Sequence, residues 1–298
     1  MRDIVNPKNA RLLMVVAMSI FGTIGLTTYY IDLPSSIIVA GRGIVGTAFL
    51  LLLIVLMGSR LSKEDILGNM FTLVCSGICL GLNWLFLFEA YKTIEISEAI
   101  VLNYLTPALT ILMTPVFLKQ NVSFLKLGCA LLALFGLILV SGIVENGMDV
   151  DLYGLLCGVL AAVFYTAMIL LNKKLKSIGS YDRTSVQLFV AAVVVVIYSL
   201  LSVDLSSLEF DMMSIGLVVM LGIVHTAIAF TLYFGSLAYM DAPDAALLGY
   251  IEPVLGVLLS VIILHEDLGM VGWIGAAIIL GSTFVPEALE IARNRRKG

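Results

Sequence analysis

Glu252, Arg42, His225 and Asn103 are polar side chains set inside apolar runs of about twenty residues. A carboxylate in such a setting is costly, and it persists when it is paired, protonated or functional. Three roles are open for Glu252. It could bind a substrate ammonium group, carry a coupling proton, or pair with an intramembrane cation, for which Arg42 and His225 are the candidates. The reading favours substrate or proton handling. Arg42, between Gly41 and Gly43, could hold a substrate carboxylate, although structural pairing is the favoured reading. His225 reads as a satisfied polar residue before it reads as a proton relay. Trp84, Tyr104, Tyr165, Phe230 and Tyr250, with Phe21, also lie inside apolar runs. Singly they read as packing. Together they could form walls for apolar side chains, flat rings or a quaternary ammonium group.

Four of these residues, Asn103, Tyr104, Tyr250 and Glu252, belong to one stretch that occurs twice. Asn103-Tyr104-Leu105-Thr106-Pro107 recurs as Gly249-Tyr250-Ile251-Glu252-Pro253, an offset of 146. The ungapped match runs from 84–120 onto 230–266. It includes the identical pairs Phe88/Phe234, Ala99/Ala245, Tyr104/Tyr250 and Pro107/Pro253, and it sets Glu95 and Glu98 on Asp241 and Asp244. This is an internal duplication. Pro107 and Pro253 lie about ten residues into their runs, near mid-membrane at about 1.5 Å per residue. Each removes an N–H and frees the carbonyl four residues back, at Asn103 or Gly249. Such a kink belongs against protein or a watery cavity. Asn103, Thr106, Thr110 and Thr114 share one helical face, and their mates are Gly249, Glu252, Gly256 and Ser260. This stripe is a cavity wall or a close-packing seam. Asn103 and Glu252 favour the cavity, and the threonines and glycines favour packing.

The elements that must position these residues follow from composition. The chain is 60 % hydrophobic and 13 % charged, with a mean hydropathy of +1.08. Soluble domains carry about 25 % charged residues, so this is an integral membrane protein. Ten apolar runs are long enough to span a bilayer: 11–30, 34–57, 66–91, 97–118, 123–144, 152–173, 184–203, 212–238, 243–264 and 269–287. With the N-terminus inside, Lys92 is the one basic residue left outside and Arg42 the one within a span. The other 15 of the 17 lie inside, which supports N-in and C-in. Five spans per half is odd, so the halves insert in opposite orientations. The expected fold is therefore an all-α membrane protein of two inverted five-helix repeats, 1–147 and 148–298. The basic residues Arg2, Lys8 and Arg11 precede a first transmembrane helix rather than a cleaved leader.

Other classes lack their signals. No phosphate-binding Gly-rich loop, nucleophile elbow or His-Glu-x-x-His occurs, so neither an ATP-driven pump nor an enzyme is expected. Cys75, Cys79, Cys129 and Cys157 lie in apolar runs and read as buried small hydrophobes, not disulfides or metal ligands. His265-Glu266-Asp267 reads as a polar helix end. No metal or cofactor is expected. The tail Arg293–Lys297 reads as a membrane anchor, not a nucleic-acid arm.

The chain resembles the drug/metabolite transporter superfamily, in its ten-helix EamA-type family. The resemblance rests on the duplicated five-span unit, on Arg42 after Pro34, and on the run from Pro253 to Glu266 followed by Leu268 and Gly275-Ala276. The first half departs from it at Gln120, which stands opposite Glu266, and in the second half Gln187 falls near the position matching Arg42. The resemblance implies a monomer in the plasma (inner) membrane with a cavity lined by spans 1, 3, 4, 6, 8 and 9. It further implies alternating access and export of amino acids or related metabolites, with protons as an optional coupling partner. Trp84, Asn103, Tyr104, Tyr250 and Glu252 fall on those spans. The alternatives are a carrier of quaternary amines such as choline, with Trp84, Tyr104 and Tyr250 as an aromatic box, and a facilitative carrier without proton coupling.

Overall fold

A computed structural model describes residues 4–58, 61–94, 96–140, 143–146, 151–203, 208–263, 265 and 269–295. Glu95, Glu266, Asp267, Leu268 and the basic residues Arg2, Arg60, Arg296 and Lys297 lie outside the described residues, as do the side chains of Glu98 and Ser260. The described elements are all helical: α1 Ala10–Gly22, α2 Ile24–Tyr29, α3 Ser35–Leu56, α4 Lys63–Ala90, α5 Ile96–Asn103, α6 Thr106–Leu118, α7 Phe124–Val140, α8 Ile143–Asn146, α9 Leu152–Asn172, α10 Ser180–Ser202, α11 Met212–Met220, a π-helical segment Leu221–Ile228, α12 Ala229–Leu237, α13 Ala242–Leu248, α14 Ile251–Ile263 and α15 Gly269–Arg295.

These pieces assemble into the expected spans. Among the described residues, eight continuous or broken helices are long and apolar enough to cross a membrane, and Phe124–Leu139 and Gly269–Ser282 are shorter apolar helices. Side-chain caps mark several starts. Ser62 accepts from Asp65 N–H at 3.3 Å, Asp151 from Gly154 at 2.9 Å and Asp211 from Ser214 at 2.9 Å, each satisfying a donor that the helix leaves open. The seventh span starts at Ser180 rather than 184, because Gly179 serves as the cap and Asp182 enters the first turn. The outer surface carries Phe71, Phe124, Leu201 and Met212 in the open, as an apolar belt in lipid requires and a water-facing surface does not.

The packing repeats with the halves exchanged. The fourth span (α5, α6) packs on α9, the first span of the second half, and α14 of the ninth span packs on α1, the first span of the first half. Likewise α4 lies on α9, and α12 lies on α1. The fifth and tenth spans, α7 and α15, pack together. Glycine permits the closest of these approaches. A Cβ on Gly46 would fall 2.8 Å from the Gly222 carbonyl oxygen, and one on Gly22 would fall 2.8 Å from that of Glu252. Polar clamps secure one end of the bundle. Asp244 at the start of α13 pairs with Lys126 of α7 and, at 3.9 Å, with Arg11 of α1. Lys173 Nζ donates to the Leu237 carbonyl at 2.8 Å and to that of Met240, and Arg183 donates to the Phe234 carbonyl at 3.0 Å. Cations suit these open carbonyls at a helix C-terminus. Partial burial lowers the Lys173 pKa below its ordinary value, and nearby Asp241 offsets part of that.

Candidate functional site

Among the described residues, four spans are discontinuous near their middles. Two of the breaks are the proline sites. The fourth span stops at Asn103 and resumes at Thr106, and the ninth stops at Leu248 and resumes at Ile251. The prolines do not bend a continuous helix: each sits in the first turn of the second piece, where its missing N–H costs nothing. The freed carbonyls are also taken. Thr106 Oγ1 donates to the Asn103 carbonyl at 2.6 Å, and the Glu252 N–H donates to that of Gly249 at 3.2 Å. The other two breaks carry no proline. The first span is interrupted at Thr23, and the eighth winds into a π-helix over Leu221–Ile228. Such insertions recur at functional sites. These two breaks are in contact: Thr23 Oγ1 and His225 Nε2 lie 2.7 Å apart. The Thr23 hydroxyl also reaches the Ile20 carbonyl oxygen at 2.7 Å.

The two proline breaks meet each other. Tyr104 and Tyr250 stack with centroids 5.9 Å apart. Tyr250, read from the sequence as a cavity residue, is fully enclosed. Its hydroxyl serves the carbonyls of Tyr104 at 3.2 Å and Ala130 at 3.1 Å, so it ties one repeat to the other. The Tyr104 hydroxyl instead faces the Glu252 carboxylate as a hydrogen-bond donor. Glu252 is only half-buried, although it starts a mid-span helix piece. Arg42 lies within electrostatic range of it, and so do Tyr91, Tyr165 and Tyr233. No ion pair joins Glu252 to Arg42 or His225 among the described residues.

Arg42 is buried on α3 with its guanidinium carbon 4.7 Å from the centroid of the Trp84 ring. Trp84 meets Phe230 edge-on at 5.7 Å, and Phe230 lies 4.9 Å from Phe21 and 6.2 Å from Tyr233. Tyr165 joins this cluster through Tyr233 at 6.5 Å. Asn103 accepts from Asn83 Nδ2 at 2.9 Å, and Asn83 also donates to the Ala161 carbonyl. That leaves the Asn103 amide N–H groups uncommitted among the described residues. The structure thus gathers Trp84, Phe230, Tyr165 and Arg42 at one place and Asn103, Tyr104, Tyr250 and Glu252 at the proline breaks, and Arg42 and Glu252 connect the two by charge. Thr110 and Thr114 are buried, and Gly256 lies against Gly22, so the lower part of the stripe is a packing seam.

Three participants were not singled out in the sequence: Thr23, Tyr91 and Tyr233. Two had a signal. Tyr91 is seven residues from Trp84 and Tyr233 three from Phe230, so each shares a helical face with a residue already chosen. Thr23 had none.

The sequence profile of the EamA-like transporter family matches twice, at residues 8–142 and 152–285. The chain belongs to the EamA-like transporter family. Among its relatives is the uncharacterized transporter YxxF of Bacillus subtilis, 29 % identical over 272 residues that cover 87 % of this chain and 85 % of that protein. An uncharacterized transporter of Archaeoglobus fulgidus is 23 % identical over 261 residues, 86 % of this chain and 90 % of that one. A solved crystal structure superposes with a TM-score of 0.83 at 21 % identity, covering 94 % of this chain and 98 % of the other, and carries the likeness of fold. The double match is the duplication seen in the Tyr-x-x-Pro stretch. As an EamA-like protein the chain is a multi-pass membrane protein of the transporter class. The family does not name what is carried.

Proposed function

We propose that this protein is a secondary transporter that exports small metabolites, amino acids foremost, across the plasma membrane by alternating access. The observation that carries this reading is Glu252: a half-buried carboxylate at a mid-span break, faced by the Tyr104 hydroxyl and lacking an ion-pair partner among the described residues. A carboxylate so placed suits a substrate amine or a coupling proton. The broken spans supply hinge points for rocking of the two repeats, and the monomer contains both walls. The quaternary-amine reading fares less well. Trp84 already has a guanidinium over its ring and Tyr250 is enclosed, so two of the three rings proposed for that box are engaged elsewhere.

The test uses purified protein in liposomes. Flux of an amino-acid and quaternary-amine panel is followed with and without an imposed pH gradient, for wild type and Glu252→Gln. Amino-acid flux that responds to the gradient and is lost in the variant is the expected result. Flux indifferent to both means a facilitative carrier and overturns the role given to Glu252. Preferred flux of choline overturns the choice of substrate.

A further inference from the structure

We infer that Asp244, with Lys126 and Arg11 as its partners, is an ionic latch that holds the cytoplasmic side of the transporter shut. The inference rests on the alternating-access reading above and names the contact that must open before a substrate loads from the cytoplasm.

The latch joins the two halves. Asp244 lies in the first turn of α13, in the second half. Lys126 lies in the first turn of α7 and Arg11 in that of α1, both in the first half. Each ion pair therefore crosses from one repeat to the other. Arg11 is 45 % exposed, whereas the Lys126 and Asp244 side chains are 21 % and 18 % exposed. The second pair is thus partly withdrawn from water and is screened less than a surface pair. The helix it pins is itself enclosed. Ala245, Ala246, Leu247 and Leu248 are buried, and α13 packs on α6, α7 and α1 of the first half.

The duplication provides a comparison at the opposite end of the bundle. The mate of α13 is α5, and the mate of Asp244 is Glu98. Packing by the same plan would set α5 on α14, α15 and α9. It packs on α9, α4 and α7, and among the described residues it makes no comparable contact with α14 or α15. The seal between halves that α13 makes is not repeated at α5. Nor is the charge. At the offset of 146, Lys126 falls on Gly272, a register in which Ala130 and its mate Ala276 are both buried. The basic residue at the α5 end is Lys92, which already bonds Glu89 at 2.7 Å and Tyr198 at 2.8 Å.

The physical cause lies in membrane insertion. Lys and Arg are kept on the cytoplasmic side. An inverted repeat can therefore build a carboxylate–ammonium latch at its inner end and lacks the cations for one at its outer end. Equivalent acids at 98 and 244 meet different supplies of positive charge, so the ionic latch belongs to one side and fixes which side is shut.

The test reads the two ends separately. Spin labels are placed at Gln120 and Tyr239 at the inner end, and at Thr93 and His265 at the outer end, all exposed positions. Cys75, Cys79, Cys129 and Cys157 are replaced by alanine, and distances are measured by pulsed electron paramagnetic resonance. Asp244→Lys is expected to raise the share of long inner distances on the order of fivefold, the scale of a lost, partly exposed pair, while the outer distances shorten. Lys126→Glu added to Asp244→Lys is expected to restore the wild-type distribution. Salt raised from about 0.1 M to about 1 M, which shortens the screening length from ~10 Å to ~3 Å, is expected to act like the single variant. If the labelled chain does not fold, hydrogen exchange of the unaltered protein decides: α13 amides should exchange faster at high salt and α5 amides should not. Distances or exchange indifferent to charge and salt overturn the latch. So does a change that the charge swap fails to reverse, because it marks general loosening. No substrate enters these measurements, so a failed flux assay overturns the carrier reading by itself, and unchanged distances overturn the latch by itself.

Discussion

The two proline breaks, at 103–107 and 249–253, were one sequence before they diverged, and they now do different work. Both stop a helix, skip two residues and restart with proline in the first turn. Both rest on the first span of the opposite repeat, through Thr106 to the Ala162 carbonyl at 3.3 Å in one and through Gly22 in the other. At the first break the side chain of Thr106 closes the open carbonyl. At the second the main chain of residue 252 does so, and its side chain is released. Tyr104 and Tyr250 diverge in the same sense, one hydroxyl turned to the carboxylate and the other spent on two carbonyls. Duplication supplied a helix break twice, and one position, Thr106 against Glu252, separates the break that is closed on itself from the break that presents a charge.

The sharpest way to break this comparison is to make the second helix break like the first. Glu252→Thr is expected to reduce transport on the order of 100-fold, the scale of a lost buried charge contact. Its thermal unfolding midpoint should stay near that of wild type, because the new hydroxyl can bond the Gly249 carbonyl as Thr106 bonds that of Asn103. Flux assays and unfolding midpoints of the same preparation check both halves. A variant that unfolds early while the survivors transport normally would make Glu252 a structural residue. Next in size is Gly22→Ala. The new Cβ would meet the Glu252 carbonyl oxygen and Leu255 Cβ at 2.8 Å each. Overpacking of this kind costs about 1–3 kcal/mol, read as a lowered midpoint together with reduced flux, since α1 is pushed off the second break.

The sequence made the repeat and the placement of the spans legible because both are written in local patterns. Apolar run length reports spans, and a fixed offset reports duplication. Pro107 and Pro253 likewise announced breaks, since a proline acts on its own backbone. The breaks at Thr23 and Leu221–Ile228 were not legible: neither carries a proline, and their pairing through Thr23 and His225 joins residues 202 apart in sequence. The same limit applies to partners. That Arg42 lies on Trp84, and that Tyr250 faces away from Glu252 while Tyr104 faces toward it, depends on how helices turn in the assembled bundle. Equivalent positions in a repeat announce equivalent backbones, and they leave side-chain duties open.

The tyrosines allow a finer test of that last point. Tyr250→Phe removes the one buried hydroxyl proton that the Tyr104 and Ala130 carbonyls share, a loss of about 1.5 kcal/mol. Tyr104→Phe removes a hydroxyl that faces Glu252 and is expected to shift substrate affinity or pH response with a smaller change in the unfolding midpoint. Equal loss of stability in both variants would mean that the pair remained symmetric. The smallest expected effect belongs to Thr106→Val, which keeps the shape and deletes the hydroxyl. The Asn103 carbonyl then loses its 2.6 Å donor, at about 1 kcal/mol, visible as a modest drop in midpoint. No matching loss is expected for Glu252→Gln, because the donor to the Gly249 carbonyl there is the backbone N–H, which every substitution except proline retains. The closure of the second break therefore does not depend on the side chain at residue 252, and a carboxylate there leaves the break closed.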